Sequence, residues 1–238
     1  MNERMLIEVA EIEVNTACPR RCSYCPNGVP ELRKTNHDMS DVLYAHVITE
    51  LASAEYLGRL SFHLYSEPLL RRDLAALVAL AKRALPRTFF VLYTNGDLLS
   101  TSRYTELLDA GIDRFLVTYH DARTPPPARS FEIVQHWTDL TLTSRGGLVA
   151  PARALDRPCH APAEMLIVAF NGDVLLCHED GRRAFVMGNL ERQSLRDVWE
   201  SKNFARTRAL LRNGNRAAAS GLCAQCDLTG YAVPGATM

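Results

Sequence analysis

The sequence predicts an α/β chain whose first half is built from parallel strand–helix–strand units, and three observations carry that prediction. Strand-length apolar stretches alternate with helix-length amphipathic ones from Leu6 to Tyr119. The segment Arg59–Tyr65 puts Leu60, Phe62 and Leu64 on one face and Ser61, His63 and Tyr65 on the other. A ligand-holding barrel needs such a strand, with its polar face inward. From about Pro151 the alternation gives way to a hairpin pattern and paired cysteines, so a boundary is expected there, dividing the chain into 1–150 and 151–238.

Taken in order, Leu6–Val14 alternates apolar and acidic residues and reads as the first strand. Ser40 is placed to cap a helix from Asp41 to about Leu57, with Val42, Ala45, His46 and Thr49 at helical spacing. After the strand 59–65, Leu74–Leu85 is a strongly apolar helix stopped by Pro86. Thr88–Tyr93 is the third strand, followed by the turn Thr94-Asn95-Gly96. Arg103–Ala110 is a helix with Gly111 as its C-cap signal, and Asp113–Tyr119 is the fourth strand. Thr124-Pro125-Pro126-Pro127 forces an extended connection, with a further strand expected at Thr138–Thr143. In the last third, Met165–Phe170 and Asp173–Cys177 form a hairpin about Asn171-Gly172. Asp197–Leu211 reads as one amphipathic helix, and the tail carries the knuckle Cys223-Ala224-Gln225-Cys226.

Bulk composition narrows the function. At 238 residues the chain suits one sizeable domain, or one domain with a small appendage. Basic and acidic residues total 27 each, so nothing electrostatic recruits nucleic acid or an anionic membrane. Met1-Asn2-Glu3-Arg4 does not open a signal peptide, and no apolar run reaches the length of a membrane span. A cytoplasmic location is expected. There, seven cysteines serve as ligands or redox groups rather than disulfides.

The cysteines fall into two sets. In Cys18-Pro19-Arg20-Arg21-Cys22-Ser23-Tyr24-Cys25, three thiols sit in the loop after the first strand. Zinc sites usually pair two ligands from one knuckle with two from elsewhere. Three in one tight loop leave a fourth position open, which suits an iron–sulfur cluster with one iron free for a small molecule. Cys159, Cys177, Cys223 and Cys226 make the second set, and four thiolates fully ligate one cluster or one zinc. A structural zinc centre is the alternative for either set.

The cysteine loop, with Tyr24 before its last thiol, resembles that of radical S-adenosylmethionine (SAM) enzymes. Glu11–Asn15, Cys22–Asn27, Ser61–Tyr65, Tyr93–Asp97, Ser144–Gly147, Val186–Asn189 and the four later cysteines are similar to the branch that oxidises aminocyclitols in aminoglycoside antibiotic biosynthesis. The resemblance implies a partial (β/α) barrel followed by a shortened auxiliary-cluster ("twitch") domain. It implies two [4Fe–4S] clusters and SAM as cofactors, with Cys18, Cys22 and Cys25 on the first cluster and the other four cysteines on the second. Tyr24, Ser66 (in place of the usual glycine), Glu67, Asn95 and His120 are then expected around SAM. Arg145, Tyr65, Tyr93 and Glu179 are expected around a small aminocyclitol of the 2-deoxy-scyllo-inosamine kind. His178 stands where those enzymes carry an aromatic residue. His63 faces the barrel interior as a core or SAM-shell histidine.

The implied reaction is oxidation of a secondary alcohol to a ketone through a 5′-deoxyadenosyl radical. The second cluster accepts the second electron, and a protein such as flavodoxin or ferredoxin supplies the first. The alternative is a redox-neutral epimerase, which needs a spare hydrogen-donating thiol. With all seven cysteines on iron, none is left over.

Overall fold

The structure, a computed structural model, describes residues 5–32, 36–121, 128–152 and 155–229. The readings of Met1–Arg4 and Thr124–Pro127 lie outside the described residues. Strands β1 (Val9–Ile12), β2 (Arg59–Ser61), β3 (Phe89–Thr94), β4 (Arg114–Tyr119) and β5 (Glu132–His136) lie parallel and side by side in chain order. β6 (Met165–Val168) pairs parallel with the other edge of β1. β7 (Asp173–Leu175) and β8 (Val186–Asn189) continue antiparallel. The result is one eight-stranded sheet, ordered β5-β4-β3-β2-β1-β6-β7-β8. This is the expected partial barrel, with the expected hairpin about Gly172 extending the same sheet.

Helices α1 (Asp41–Ser53), α2 (Leu74–Ala84) and α3 (Thr101–Ala110) make the crossovers between successive strands from β1 to β4 and cover the sheet's outer face. Leu60, Phe62, Phe90, Leu92 and Phe115 on that face are fully or almost fully buried against Tyr44, Val47, Leu51, Leu74, Val78 and Leu107. Ser40 caps α1 by accepting from Leu43 N at 3.2 Å. Ser40→Ala should therefore lower stability by about 1 kcal/mol, read as a lower urea midpoint at unchanged slope. Gly111 ends α3 in the left-handed region at φ 118°, as its C-cap role requires.

Five sequence expectations are corrected. α1 stops at Ser53, where Glu55 turns the chain at φ 51°. Its inward stripe is Leu43, Tyr44, Val47, Ile48 and Leu51, whereas Val42 is 82% exposed. β1 is shorter than Leu6–Val14, and exposed Leu6 precedes the paired residues. β2 ends at Ser61, the last residue it pairs with β1 and with β3. The strand expected at 138–143 is β5, earlier in the chain. It is closed by a 3₁₀ turn, Trp137–Asp139, with a reciprocal cap between His136 and Asp139. The helix expected at 197–211 is two, α5 (Leu195–Trp199) and α6 (Lys202–Arg212). Ser194 and Ser201 cap them separately by accepting from Asp197 N and Phe204 N. Short α4 (Ala161–Glu164) leads into β6 and α7 (Arg216–Ala219) into the last cysteines. Among the described residues, no helix is long and apolar enough to cross a membrane.

Candidate active site

The C-terminal ends of the parallel strands, where barrel enzymes place their chemistry, bring the candidate residues together. The loop after β1 carries Cys18, Cys22 and Cys25 and is tightly wound. Cys25 N donates to Cys22 O at 3.1 Å and Gly28 N to Cys25 O at 2.8 Å. Arg20 ties this loop to the opposite rim, with a two-pronged bond to Asp97 at 2.7 and 2.5 Å and a longer one to Asp121. None of the seven cysteines forms a disulfide. Cys18, Cys22 and Cys25 interact electrostatically as one group, and Cys159, Cys177, Cys223 and Cys226 as another. Burial pushes Cys18 up to about 11 and Cys226 up to about 12, and raises Cys25, Cys177 and Cys223. Thiols held this way become stable thiolates only when a metal supplies the countercharge.

Buried Arg216, which the sequence reading missed, organises the second group. It donates to the carbonyls of Arg157 and Pro158, just before Cys159, and to those of Cys226 and Leu228. One guanidinium thereby fixes the chain on both sides of that pocket.

Glu67 is almost fully buried, and its carboxylate accepts from Leu69 N (3.0 Å), Thr94 Oγ1 (2.8 Å) and Asn95 N (2.9 Å). These bonds lock the β2 and β3 loops together. Ser66 Oγ beside it is buried without a hydrogen-bond partner, as is Asn15 Oδ1. Asn95 turns its amide toward Cys18 Sγ at 3.9 Å and accepts from Asp97 N. Tyr24 bonds through its hydroxyl to His120 Nδ1 and lies nearly parallel to Trp137, with ring centroids 5.2 Å apart. Trp137 had no visible sequence signal, since it lies just before the strand expected at 138–143, which overlaps the turn that presents it.

The remaining candidates meet at the seam between β2, the 143–147 turn and the loop after β7. Glu179, 1% exposed, accepts from Thr143 Oγ1, Arg145 Nη1 (2.8 Å) and His178 Nε2 (3.1 Å). Burial alone would raise its carboxyl, but these partners outweigh burial and bring it to about 2, so it stays ionised. The Arg145 guanidinium lies 5.5 Å from the Tyr65 ring centroid, and its Nε is buried with no partner. Tyr65 donates its hydroxyl to the His178 carbonyl. Tyr93 is covered by His63, stacked 4.6 Å away, so it presents its neighbour rather than its own edge. The His63 Nδ1 and Ser61 Oγ on the same inner face are buried without partners. Arg145 feels the charge of Cys25, and Glu179 that of Cys177 and Cys226. Arg145 is thus near enough to the first thiol group, and Glu179 to the second, for their charges to interact.

Residues 12–124 match the Radical SAM superfamily and residues 159–227 an iron–sulfur cluster-binding domain, SPASM. The chain belongs to the radical SAM superfamily and carries this second, cluster-binding domain. It is 35% identical over 236 residues to the S-adenosyl-L-methionine-dependent 2-deoxy-scyllo-inosamine dehydrogenase of Niallia circulans, spanning 93% of each chain. The fold superposes on a crystal structure of BtrN in complex with AdoMet and 2-DOIA with a TM-score of 0.87 at 34% identity, covering 96% of this chain and 95% of that one. Against BtrN in an open conformation the TM-score is 0.79 at 32% identity, covering 96% and 94%. The cofactors are SAM and two iron–sulfur clusters.

Among the described residues no three His, Cys, Asp or Glu side chains converge as a formed metal site, so the fit to these groups lies in the chemistry of the donor set. Thiols are the ligands iron–sulfur clusters take, and the unpartnered Ser66 Oγ and Asn15 Oδ1 offer acceptors for an ammonium near the first thiol group. A Cβ at Gly28 would lie 2.3 Å from the Cys22 carbonyl oxygen. Gly28→Ala should therefore deform the first loop and cut bound iron by about half. The second group would keep its share, counted by iron assay after anaerobic reconstitution.

Proposed function

We propose that this chain oxidises a secondary alcohol of an aminocyclitol, 2-deoxy-scyllo-inosamine or a close analogue, to the ketone during aminoglycoside biosynthesis. The observation that carries this reading is the Arg145–Glu179 ion pair, its carboxylate buried, within electrostatic reach of a group of three thiols and of a group of four. On this reading Cys18, Cys22 and Cys25 hold the cluster that binds SAM, and Cys159, Cys177, Cys223 and Cys226 hold the second. When bound, SAM and the reduced first cluster supply a 5′-deoxyadenosyl radical, and the second cluster supplies a place for the electron the substrate gives up.

The chain's own residues do the rest. Ser66 Oγ and Asn15 Oδ1 take the SAM ammonium, while Glu67 acts from behind by fixing the Thr94–Asn95 turn. Tyr24, held by His120 and backed by Trp137, offers its open face to the adenine. The unpartnered Arg145 Nε–H donates to the oxygen of the reacting carbinol. Set among anionic neighbours, that guanidinium stays charged, so it stabilises negative charge developing on the oxygen while the hydroxyl proton leaves to a water held beside it. Tyr65 and the His63–Tyr93 stack wall the ring of the substrate. An external one-electron donor such as flavodoxin or ferredoxin completes the cycle.

Substrate-dependent formation of 5′-deoxyadenosine tests this. Loaded enzyme should cleave SAM many times faster with 2-deoxy-scyllo-inosamine than with glycerol or a short peptide. Equal rates with all three would contradict the reading.

A further inference from the structure

The turn that presents Arg145 is strained and is held from outside itself. Arg145, Gly146 and Gly147 all lie in the left-handed region, at φ 53°, 61° and 81°, and a non-glycine residue there costs free energy unless its surroundings impose it. Three contacts impose it, each from a segment bearing a thiol of the second group. Asp227, next to Cys226, accepts from Ser144 N at 3.0 and 3.1 Å and from Ser144 Oγ at 2.9 Å. Glu179, two residues past Cys177, accepts from Arg145. Leu222, next to Cys223, leaves no room for a side chain at Gly146, where a Cβ would approach it to 2.3 Å. Ser144 Oγ also accepts from Gly147 N at 3.1 Å, so the hydroxyl that Asp227 holds closes the turn. Ser144 is buried, and Asp227 sits between the Cys226 and Leu228 carbonyls that Arg216 clamps.

We propose that Asp227 is a positioning residue for substrate binding: through Ser144 it fixes the Arg145–Gly147 turn, so the substrate site assembles only when the Cys226 segment is in place. This rests on the proposed role of Arg145 toward the substrate carbinol. The second thiol segment thereby sets the geometry of the substrate pocket as well as holding a cluster. A chain lacking order in that segment would bind SAM and fail to hold an aminocyclitol.

The test measures equilibrium binding of 2-deoxy-scyllo-inosamine to anaerobically reconstituted enzyme with SAM present, alongside iron content and SAM affinity. Asp227→Ala should weaken aminocyclitol binding by about 10- to 100-fold, since it removes charge-assisted bonds to a buried group. Iron content and SAM affinity should stay within about twofold of the parent enzyme. Asp227→Asn keeps one acceptor oxygen and should restore part of the loss. In an Arg145→Ala background, Asp227→Ala should add little, because both act on one contact. Full additivity in that double variant, or unchanged binding in Asp227→Ala, would overturn the proposal. If Arg145→Ala alone binds the aminocyclitol normally, the reading of Arg145 fails, and this inference with it. Should Asp227→Ala lose iron, Ser144→Ala decides, since it leaves the cysteine segment untouched. A several-fold loss of aminocyclitol binding at full iron content supports the proposal, and no loss overturns it.

Discussion

Cys25→Ser should reduce SAM cleavage to background, whereas Cys226→Ser should leave SAM cleavage measurable and remove most of the ketone. Cys226 is buried and Cys25 half-buried, and burial raises both, so the contrast comes from which group each belongs to. Cys25 is one of three thiols in the β1 loop; on the proposed assignment its loss would leave the first cluster only two protein ligands. Cys226 belongs to the group of four and feels the charge of Glu179. On the proposed assignment, losing it would remove the outlet for the second electron and loosen the Asp227 hold on Ser144. The ratio of 5′-deoxyadenosine to ketone should be about one in the parent enzyme and rise sharply in Cys226→Ser. A parallel fall of both products in the two variants would contradict the division of labour between the clusters.

Glu179→Gln should be the most damaging isosteric change in the chain. Glu179 is 1% exposed and accepts from Thr143, Arg145 and His178 at once. The amide keeps the shape but removes the charge facing a guanidinium that is 24% exposed, and stranding one member of such a partly buried pair costs about 3 kcal/mol. For a chain of this size that corresponds to a fall in Tm of about 10 °C. Ketone formation should drop by about a hundredfold or more, because Arg145 would no longer be aimed at the carbinol oxygen. Thermal scans of loaded protein and product assays check the two effects separately.

The fold was legible where local chemistry decides structure. Ser40 and Gly111 mark helix ends by satisfying orphan backbone groups, and both do so where expected. The Asn171-Gly172 turn gave the hairpin. The place of that hairpin was not legible, because Met-Leu-Ile-Val is buried on both sides and reads alike in a hairpin or against β1. The break between α5 and α6 was hidden because the apolar spacing continues across the two residues that separate them, Ser201 being the cap of α6.

At the site, the thiols could be found from residue type and spacing, and Arg145 and Glu179 through the family resemblance. Arg216, Asp227 and Trp137 could not. Their roles depend on partners between 10 and 113 residues away, and nothing in an isolated arginine, aspartate or tryptophan names a distant partner. Sequence also assigned to Glu67 a contact with SAM, whereas its carboxylate is engaged by Leu69, Thr94 and Asn95. A buried carboxylate takes the donors nearest to it.

The account's central claim is that all seven thiols hold iron, so that a substrate radical leaves by losing an electron. Anaerobic incubation with 2-deoxy-scyllo-inosamine, SAM and a reductant in deuterated water, followed by mass analysis of the product, tests it most directly. The account predicts a product lighter by two hydrogens, with no deuterium fixed on ring carbon. An inverted alcohol carrying one solvent deuterium, with no ketone, would contradict it.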